Sequence, residues 1–199
     1  MNREIILIAF FASGFATLVY EMVWTRMLQL PFGSTVYSAS AVLISILSGF
    51  ASGSFIFRNL AEKKNNIILF AIIQISTAIY GIMLTFALWH FPAFYIPLDL
   101  YLLSLAYLLI CFAILLIPST LIGGTWPVMA KLYCKREIAS NVGVLYFSNA
   151  MGCSLAPLFT GFLLIPALGL TKTSLIASII NLLLGISFAY LYIRGGRHE

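Results

Sequence analysis

The stretch IILFAIIQISTAIYGIMLTFALW, residues 67–89, contains 23 consecutive positions without a charged residue. An α-helix of about 20 mostly apolar residues is long enough to cross the hydrocarbon core of a bilayer. A strand of a membrane β-barrel would alternate apolar and polar residues over about 10 positions, and this stretch does not alternate. The stretch therefore predicts a helix that spans a membrane.

Windows of the same character lie on both sides of this stretch. They are Ile5–Val23, Val36–Phe57, Leu100–Ile122, Val144–Leu168 and Leu175–Ile193. The first window continues to Val23, which is too long for the apolar region of a cleaved signal peptide. The connectors hold most of the charges, and none is long enough to form a domain. We predict an all-α polytopic membrane protein in which residues 1–199 form a single transmembrane domain of six helices.

The composition excludes most other classes of protein. The chain is 62% hydrophobic and 9% charged, whereas soluble domains carry roughly 25% charged residues. A soluble globule, a disordered chain, a coiled coil, a collagen and a disulfide scaffold are all excluded. Nucleic-acid binding would need a cluster of basic residues on a soluble face, and the sequence has none. The lipid bilayer is the expected partner.

The positions of lysine and arginine predict the orientation of the helices. Cytoplasmic connectors of membrane proteins carry an excess of these residues. With the N-terminus inside, the inner segments hold Arg3, Arg58, Lys63, Lys64, Lys131, Lys135, Arg136, Arg194 and Arg197. The outer connectors hold Arg26 and Lys172. We predict a protein of the cell (inner) membrane with both termini in the cytoplasm.

The sequence lacks the common motifs of catalysis and cofactor binding. It has no Gly-x-Gly-x-x-Gly, no P-loop lysine motif, no Ser/His/Asp set and no paired carboxylates. Its three cysteines follow neither a disulfide pattern nor a metal-ligand spacing. We therefore predict no cofactor, no metal site and no catalytic residue in this chain.

Small residues recur every four positions in three of the predicted spans. The stripes consist of Ala41, Ser45, Gly49 and Gly53 in span 2, Ser148, Gly152, Ala156 and Thr160 in span 5, and Ala177, Asn181, Gly185 and Ala189 in span 6. Small residues let membrane helices approach closely. We predict close helix packing here, with a substrate path as the alternative. The stripes of spans 2 and 5 are also candidates for the surface of a homodimer or partner chain.

The first span has a small and polar face that carries a carboxylate. Ala9, Ser13, Thr17, Glu21 and Thr25 recur every four residues. An ionisable residue within a span is costly and suggests a function. Glu21 either pairs with Arg26, if the helix end unwinds toward Pro31, or has a functional role as the contact of a cation or amine or as a protonation switch.

Several residues complete this hypothesis. Aromatic side chains such as Tyr20 and Trp24 suit the membrane interface. Polar residues at membrane depth, which are Gln74, Asn149 and Asn181, predict hydrogen bonds across helix interfaces. The candidate substrate-binding set is Tyr20, Glu21, Trp24, Arg26 and Asn149.

The fourth predicted span ends in the segment Gly123-Gly124-Thr125-Trp126-Pro127. Proline removes a backbone donor, and glycine permits close approach or a bend. We therefore predict a hinge or kink at Gly123, Gly124 and Pro127.

The sequence resembles the membrane region of membrane-bound spermidine synthase-like proteins, in which a major-facilitator-like membrane part is fused to a polyamine aminopropyltransferase domain. The matching segments are SGFATLVYEMVWTR (13–26), GSTVY (33–37), Gly49 to Gly53-Ser54 with RNLAE (58–62), Pro118 with GGTWP (123–127), Tyr146 with Asn149 and Gly152, and Gly161 with LIPALGL (164–170). The departures are Glu62, Ile122 and Ala150, where the family often has Asp, Met and Thr.

This resemblance implies a six-helix module similar to one half of a major facilitator transporter. The chain lacks the glycine-rich loop that a synthase domain would bring, so the transferase activity is not implied. The first hypothesis is a noncatalytic membrane module that anchors or partners a polyamine-type synthase. The alternative is a dimeric half-size transporter of a polyamine or other small organic cation, with Glu21 as the cation contact. An integral-membrane enzyme is the third.

Overall fold

The computed structural model describes residues 3–32, 36–90, 100–134 and 138–195, and this part of the chain is helical. The elements are α1 (Arg3–Phe32), α2 (Val36–Lys63), α3 (Asn66–His90), α4 (Leu100–Tyr133), α5 (Ile138–Phe159), a π-helical turn (Thr160–Leu164) and α6 (Ile165–Gly195). Five helical stretches are long and apolar enough to cross a membrane: Arg3–Gln29, Ala39–Lys63, Asn66–His90, Leu109–Tyr133 and Asn141–Arg194. The prediction of a helical, multi-pass membrane protein is confirmed at this level.

The helices extend beyond the windows that hydropathy predicted. α1 continues to Phe32 instead of ending near Val23, and α4 continues to Tyr133 instead of ending near Ile122. The backbone hydrogen bonds of a helix form within the helix and do not depend on lipid. A helix can therefore continue into polar sequence at the membrane edge. The charged segments expected as connectors, such as Arg58 to Lys63, therefore form helix ends.

Gly169 interrupts the longest helical stretch. Its backbone adopts φ 77° and ψ 173°, which is not helical. This region of backbone space is essentially restricted to glycine. A Cβ placed on Gly169 would meet no other atom within 4 Å, so the requirement for glycine comes from the backbone and not from a neighbour.

The segments on the two sides of Gly169 run in opposite directions relative to α1. α5 runs parallel to α1, because Ser148 Oγ donates to the Leu7 carbonyl at 2.7 Å and Cys153 Sγ to the Gly14 carbonyl at 3.5 Å.

The segment after Gly169 is antiparallel to α1. Tyr20 donates to Ser178 at 2.8 Å, whereas Phe10, earlier on α1, shares a core cluster with Phe188, later on α6. The chain therefore turns back on itself between α5 and the main part of α6.

α2 and α4 run parallel and form a close helix pair. A Cβ on Gly49 would collide with Ser119, and one on Gly53 with the Thr120 carbonyl. Ala41 and Ser45, on the same stripe, are also buried. The predicted close packing is confirmed for this stripe, which α4 covers within the chain. The stripe is therefore not a free surface, whereas a dimer interface on this stripe would require one.

The stripe of span 5 is covered in the same way. A Cβ on Gly152 would collide with the Phe11 carbonyl of α1, and Ala156 is completely buried. In α6, a Cβ on Gly185 would lie 2.5 Å from Ile75 Cγ1 of α3. These small residues serve packing within the chain, because they allow two helix backbones to approach closely. Such close packing holds membrane helices together, since no hydrophobic driving force acts between them in lipid.

The predicted hinge residues of the fourth span lie within a helix. Pro127 and both glycines belong to α4, which continues for six residues beyond Pro127. The expectation that this element ends the span is therefore wrong. The expected close approach is present, since a Cβ on Gly123 would collide with Phe50 and one on Gly124 would lie 2.5 Å from the Phe57 ring.

The surface of the bundle is apolar on its sides and basic at one end. Phe55, Phe147 and Phe162 are between 64% and 76% exposed, which suits a lipid-facing surface. Because the helices alternate in direction, the starts of α1, α3 and α5 lie at the same end as the last residues of α2, α4 and α6. Among the described residues, this end carries Arg3, Arg58, Lys63, Lys64, Lys131 and Arg194, and the other end carries Arg26 and Lys172.

Candidate functional site

A small polar cleft lies between the α1–α5 pair and the α2–α4 pair. Its volume is about 80 Å³. The side chains and backbone that line it are Gly14, Thr17, Leu18, Phe50, Ser54, Ile122, Gly123, Thr125, Trp126, Asn149 and Cys153. Gly14 is 11 residues after Arg3, or about 16 Å along the helix axis. The cleft therefore lies near the middle of a hydrocarbon core that is about 30 Å thick.

Asn149 fixes one wall of the cleft. Its Nδ2 donates to the Phe10 carbonyl at 3.1 Å, and its Oδ1 lies 3.7 Å from Cys153 Sγ. Gly14 makes this possible, because a Cβ there would lie 2.6 Å from Asn149 Nδ2. The prediction that Asn149 hydrogen-bonds across a helix interface is confirmed, and the same residue borders the cleft.

Polar groups of α2 and α4 form the opposite wall. Ser54 Oγ donates to the Gly123 carbonyl at 3.1 Å, and Thr125 Oγ1 donates to the Ile122 carbonyl at 2.7 Å. Trp126 also lines the cleft. Its ring meets Phe10 edge to face, with centroids 5.0 Å apart and an interplanar angle of 82°. The cleft thus combines hydroxyl groups and an aromatic ring within an apolar bundle.

Glu21 lies on the cleft side of α1, one helical turn beyond Thr17. It is partly buried. It forms no ion pair with any residue that the structure describes. A carboxylate at membrane depth without a counter-ion is unfavourable.

The structure does not support the pair of Glu21 with Arg26. α1 is helical through both residues and ends at Phe32, so it does not unwind as that alternative required. Five residues of helix turn the chain by about 500°, which places the two side chains on different sides. Arg26 is exposed near the end of α1. It therefore lies apart from the cleft.

Tyr20 and Trp24 lie in the core of the bundle. They are 0% and 2% exposed, and their rings stack with centroids 4.6 Å apart. The Tyr20 ring packs where a Cβ on Gly81 would be, 2.6 Å from its hydroxyl oxygen. Since residue 20 is about 100° around the helix from residue 21, these aromatic residues face α3 and α6, away from the cleft. Their side chains are therefore covered by neighbouring helices, and their expected depth at the membrane interface stays a prediction.

The interface of α1, α3 and α6 contains a buried polar network that was not predicted from the sequence. Thr85 Oγ1 lies 2.6 Å from Ser174 Oγ, and Ser178 accepts the hydrogen bond from Tyr20. Asn181 Oδ1 is buried beside this network and has no hydrogen-bond partner among the described residues. A single serine or threonine within an apolar run gives little signal in a sequence. The four-residue spacing of such residues on α3 and α6 is the signal that could have indicated the network.

Of the predicted substrate-binding set, Asn149 lines the cleft, and Glu21 lies one turn beyond the cleft residue Thr17 on α1. Ser54, Thr125 and Trp126 also line the cleft and were not predicted. In the sequence, these three residues lie close to the glycines of α2 and α4. That position indicates a site only when the pairing of the two helices is known.

The groups of a metal centre are not present in the described part of the chain, where no three His, Cys, Asp or Glu side chains lie together. Comparison of the chain with models of known protein families, with curated proteins and with solved structures gives no match.

Proposed function

We propose that this chain is a six-crossing membrane module that binds a polyamine or another small organic cation beside Glu21. The observation that carries the proposal is the partly buried Glu21 carboxylate, which has no ion-pair partner among the described residues and lies one helical turn beyond Thr17 of the polar cleft, on the same side of α1. Desolvated carboxylates attract ammonium groups strongly. The Trp126 ring adds an aromatic face that favours cations.

The six-crossing topology rests on two features of the fold. The direction of the chain relative to α1 reverses between α5 and α6, and Gly169 provides the non-helical backbone that a reversal needs. The distribution of basic residues supports cytoplasmic termini. In a cysteine-free variant, a cysteine at Lys172 should react with a membrane-impermeant maleimide added outside intact cells. Labelling of this cysteine only after the cells are lysed would contradict the topology.

Spermidine is the probe for the cation site. Purified full chain in lipid nanodiscs should bind spermidine saturably, and Glu21→Gln should weaken binding by tenfold or more, since it removes the charge while keeping the shape. Glu4→Gln is the matched control, because Glu4 is exposed at the start of the same helix. Equal spermidine binding by the wild type and Glu21→Gln would refute the cation contact. Flux of spermidine into reconstituted vesicles then separates transport from binding.

A dimeric transporter would need two such modules around one site. The cleft lies between two helix pairs on one side of the bundle, and α3 and α6 lie behind α1. This arrangement suits a site that a second module completes. Cross-linked dimers that are required for spermidine flux would support this version of the proposal. Spermidine flux by a monomer would contradict it.

The noncatalytic partner of a polyamine-type synthase is the second candidate. Four of the segments that carry the family resemblance contact one another in pairs, because Asn149 and Gly152 pack on residues 10–15 and Ser54 hydrogen-bonds to Gly123. Recovery of an aminopropyltransferase-like protein with the tagged chain from native membranes would support this candidate. Its absence from such preparations would count against it.

A further inference from the structure

A second cavity lies at the basic end of the bundle, independent of the Glu21 cleft. It has a volume of about 360 Å³ and lies between the last turns of α2 and α4 and the second turn of α5. Arg58 and Glu62 of α2 and Lys131 of α4 contribute its charged groups. Its apolar lining includes Ala61, Pro127, Ala130 and Val142.

The charge of this cavity favours an anion. Arg58 and Lys131 come from different helices and form no ion pair within the described part of the chain. Glu62, one turn after Arg58, offsets one of the two positive charges. Lys63 and Lys64 follow at the same end of the bundle and add to the positive potential. A basic cavity between helices at a membrane surface is typical of sites for phosphate-bearing headgroups.

The start of α5 contributes in the same direction. The helix begins at Ile138, and Val142 of its second turn lines the cavity. The first backbone N–H groups of a helix have no helical acceptors, and the helix dipole places partial positive charge there. The partial positive charge at the start of α5, one turn before Val142, therefore adds to that of Arg58 and Lys131.

The surroundings of the cavity favour a lipid over a free ion. The charged groups lie above an apolar floor, and Phe55 and Ile56, less than one turn before Arg58, are 73% and 50% exposed. A phosphate between Arg58 and Lys131 would leave acyl chains free to lie on this apolar side of α2. We propose that the cavity binds the phosphate of an anionic membrane phospholipid through Arg58 and Lys131.

The test measures binding of short-chain phosphatidylglycerol to the purified full chain in detergent by native mass spectrometry. Arg58→Gln with Lys131→Gln should weaken binding roughly 30-fold, or about fivefold for each basic residue. Glu62→Gln should strengthen it about fivefold by removing the opposing charge. A gain in affinity of this kind cannot result from misfolding.

The matched control replaces Lys63 and Lys64 by glutamine, which removes the same charge from the same end but outside the cavity. Equal weakening in the control and in the cavity variant would show general surface attraction and overturn the proposal. Phosphatidylcholine that binds as tightly as phosphatidylglycerol would also overturn it. Inorganic phosphate that displaces phosphatidylglycerol at equal concentration would assign the site to the free anion, which contradicts a lipid site.

Discussion

Replacing Gly169 by alanine tests whether the chain turns back at this residue. The backbone of Gly169 has φ 77° and ψ 173°, and holding a non-glycine residue there costs about 1–3 kcal/mol. No atom lies within 4 Å of the added Cβ, so steric contact adds nothing to this cost. We expect Gly169→Ala to lower the free energy of unfolding by about 1–3 kcal/mol from backbone strain.

Gly143→Ala is the matched control for this prediction. A Cβ added to Gly143 would also meet no atom within 4 Å, but this residue lies inside α5 without a positive φ. Alanine is favoured over glycine within a helix by up to about 1 kcal/mol. The same chemical change should therefore destabilise the protein at residue 169 and leave it unchanged or more stable at residue 143.

Thermal unfolding in one detergent compares the two variants. In a chain of this size, 1 kcal/mol corresponds to roughly 2–4 °C in the midpoint. Gly169→Asn should be no better than Gly169→Ala, because asparagine tolerates ordinary left-handed backbone but not a ψ near 173°. If Gly169→Ala and Gly143→Ala unfold at the same temperature, residue 169 does not need its positive φ, and the reasoning about the turn fails.

Three further predictions concern packing, a buried hydroxyl and a thiol. Gly53→Ala should destabilise the bundle by about 1–3 kcal/mol through its collision with Thr120, whereas Ser52→Ala on the exposed side should not, as measured by thermal unfolding. Tyr20→Phe should cost about 1 kcal/mol by removing the hydrogen bond to Ser178; an unchanged midpoint would contradict this. Burial raises the pKa of the Cys134 thiol, and the charge of Arg3 lowers it in part, so maleimide should label Cys134 slowly at neutral pH and faster as the pH rises. Arg3→Gln should shift that labelling profile to still higher pH, and a shift to lower pH would refute the assignment.

The helical membrane class could be predicted from the sequence on firm physical grounds. A run of 23 residues without charge, such as residues 67–89, has one stable form in a bilayer that satisfies its backbone. The small stripe of α2 also predicted close packing, because four-residue spacing places such residues on one side of a helix whatever covers that side. Hydropathy could not give the helix ends, because the backbone continues its hydrogen bonds into polar sequence.

The surroundings of Tyr20 and Trp24 show why sites are harder to predict. Aromatic residues near the end of a span are equally suited to the membrane interface and to a helix-helix core. The choice depends on which helix faces them, and here Gly81 of α3 leaves room for the Tyr20 ring. The residues of α1 around Tyr20 do not specify which helix faces this side chain.

Residue spacing and charge are enough to show that the chain is helical, apolar on its sides and basic at one end, because both act locally along each helix. The packing of the helices was needed to show that α4 covers the stripe of α2, that Tyr20 and Trp24 are core residues, and that Asn149 lines the cleft while Arg26 lies apart. These relations depend on contacts between residues far apart in the chain, such as Asn149 with Phe10. Contacts of that kind arise from the pairing of whole helices, which no local pattern specifies.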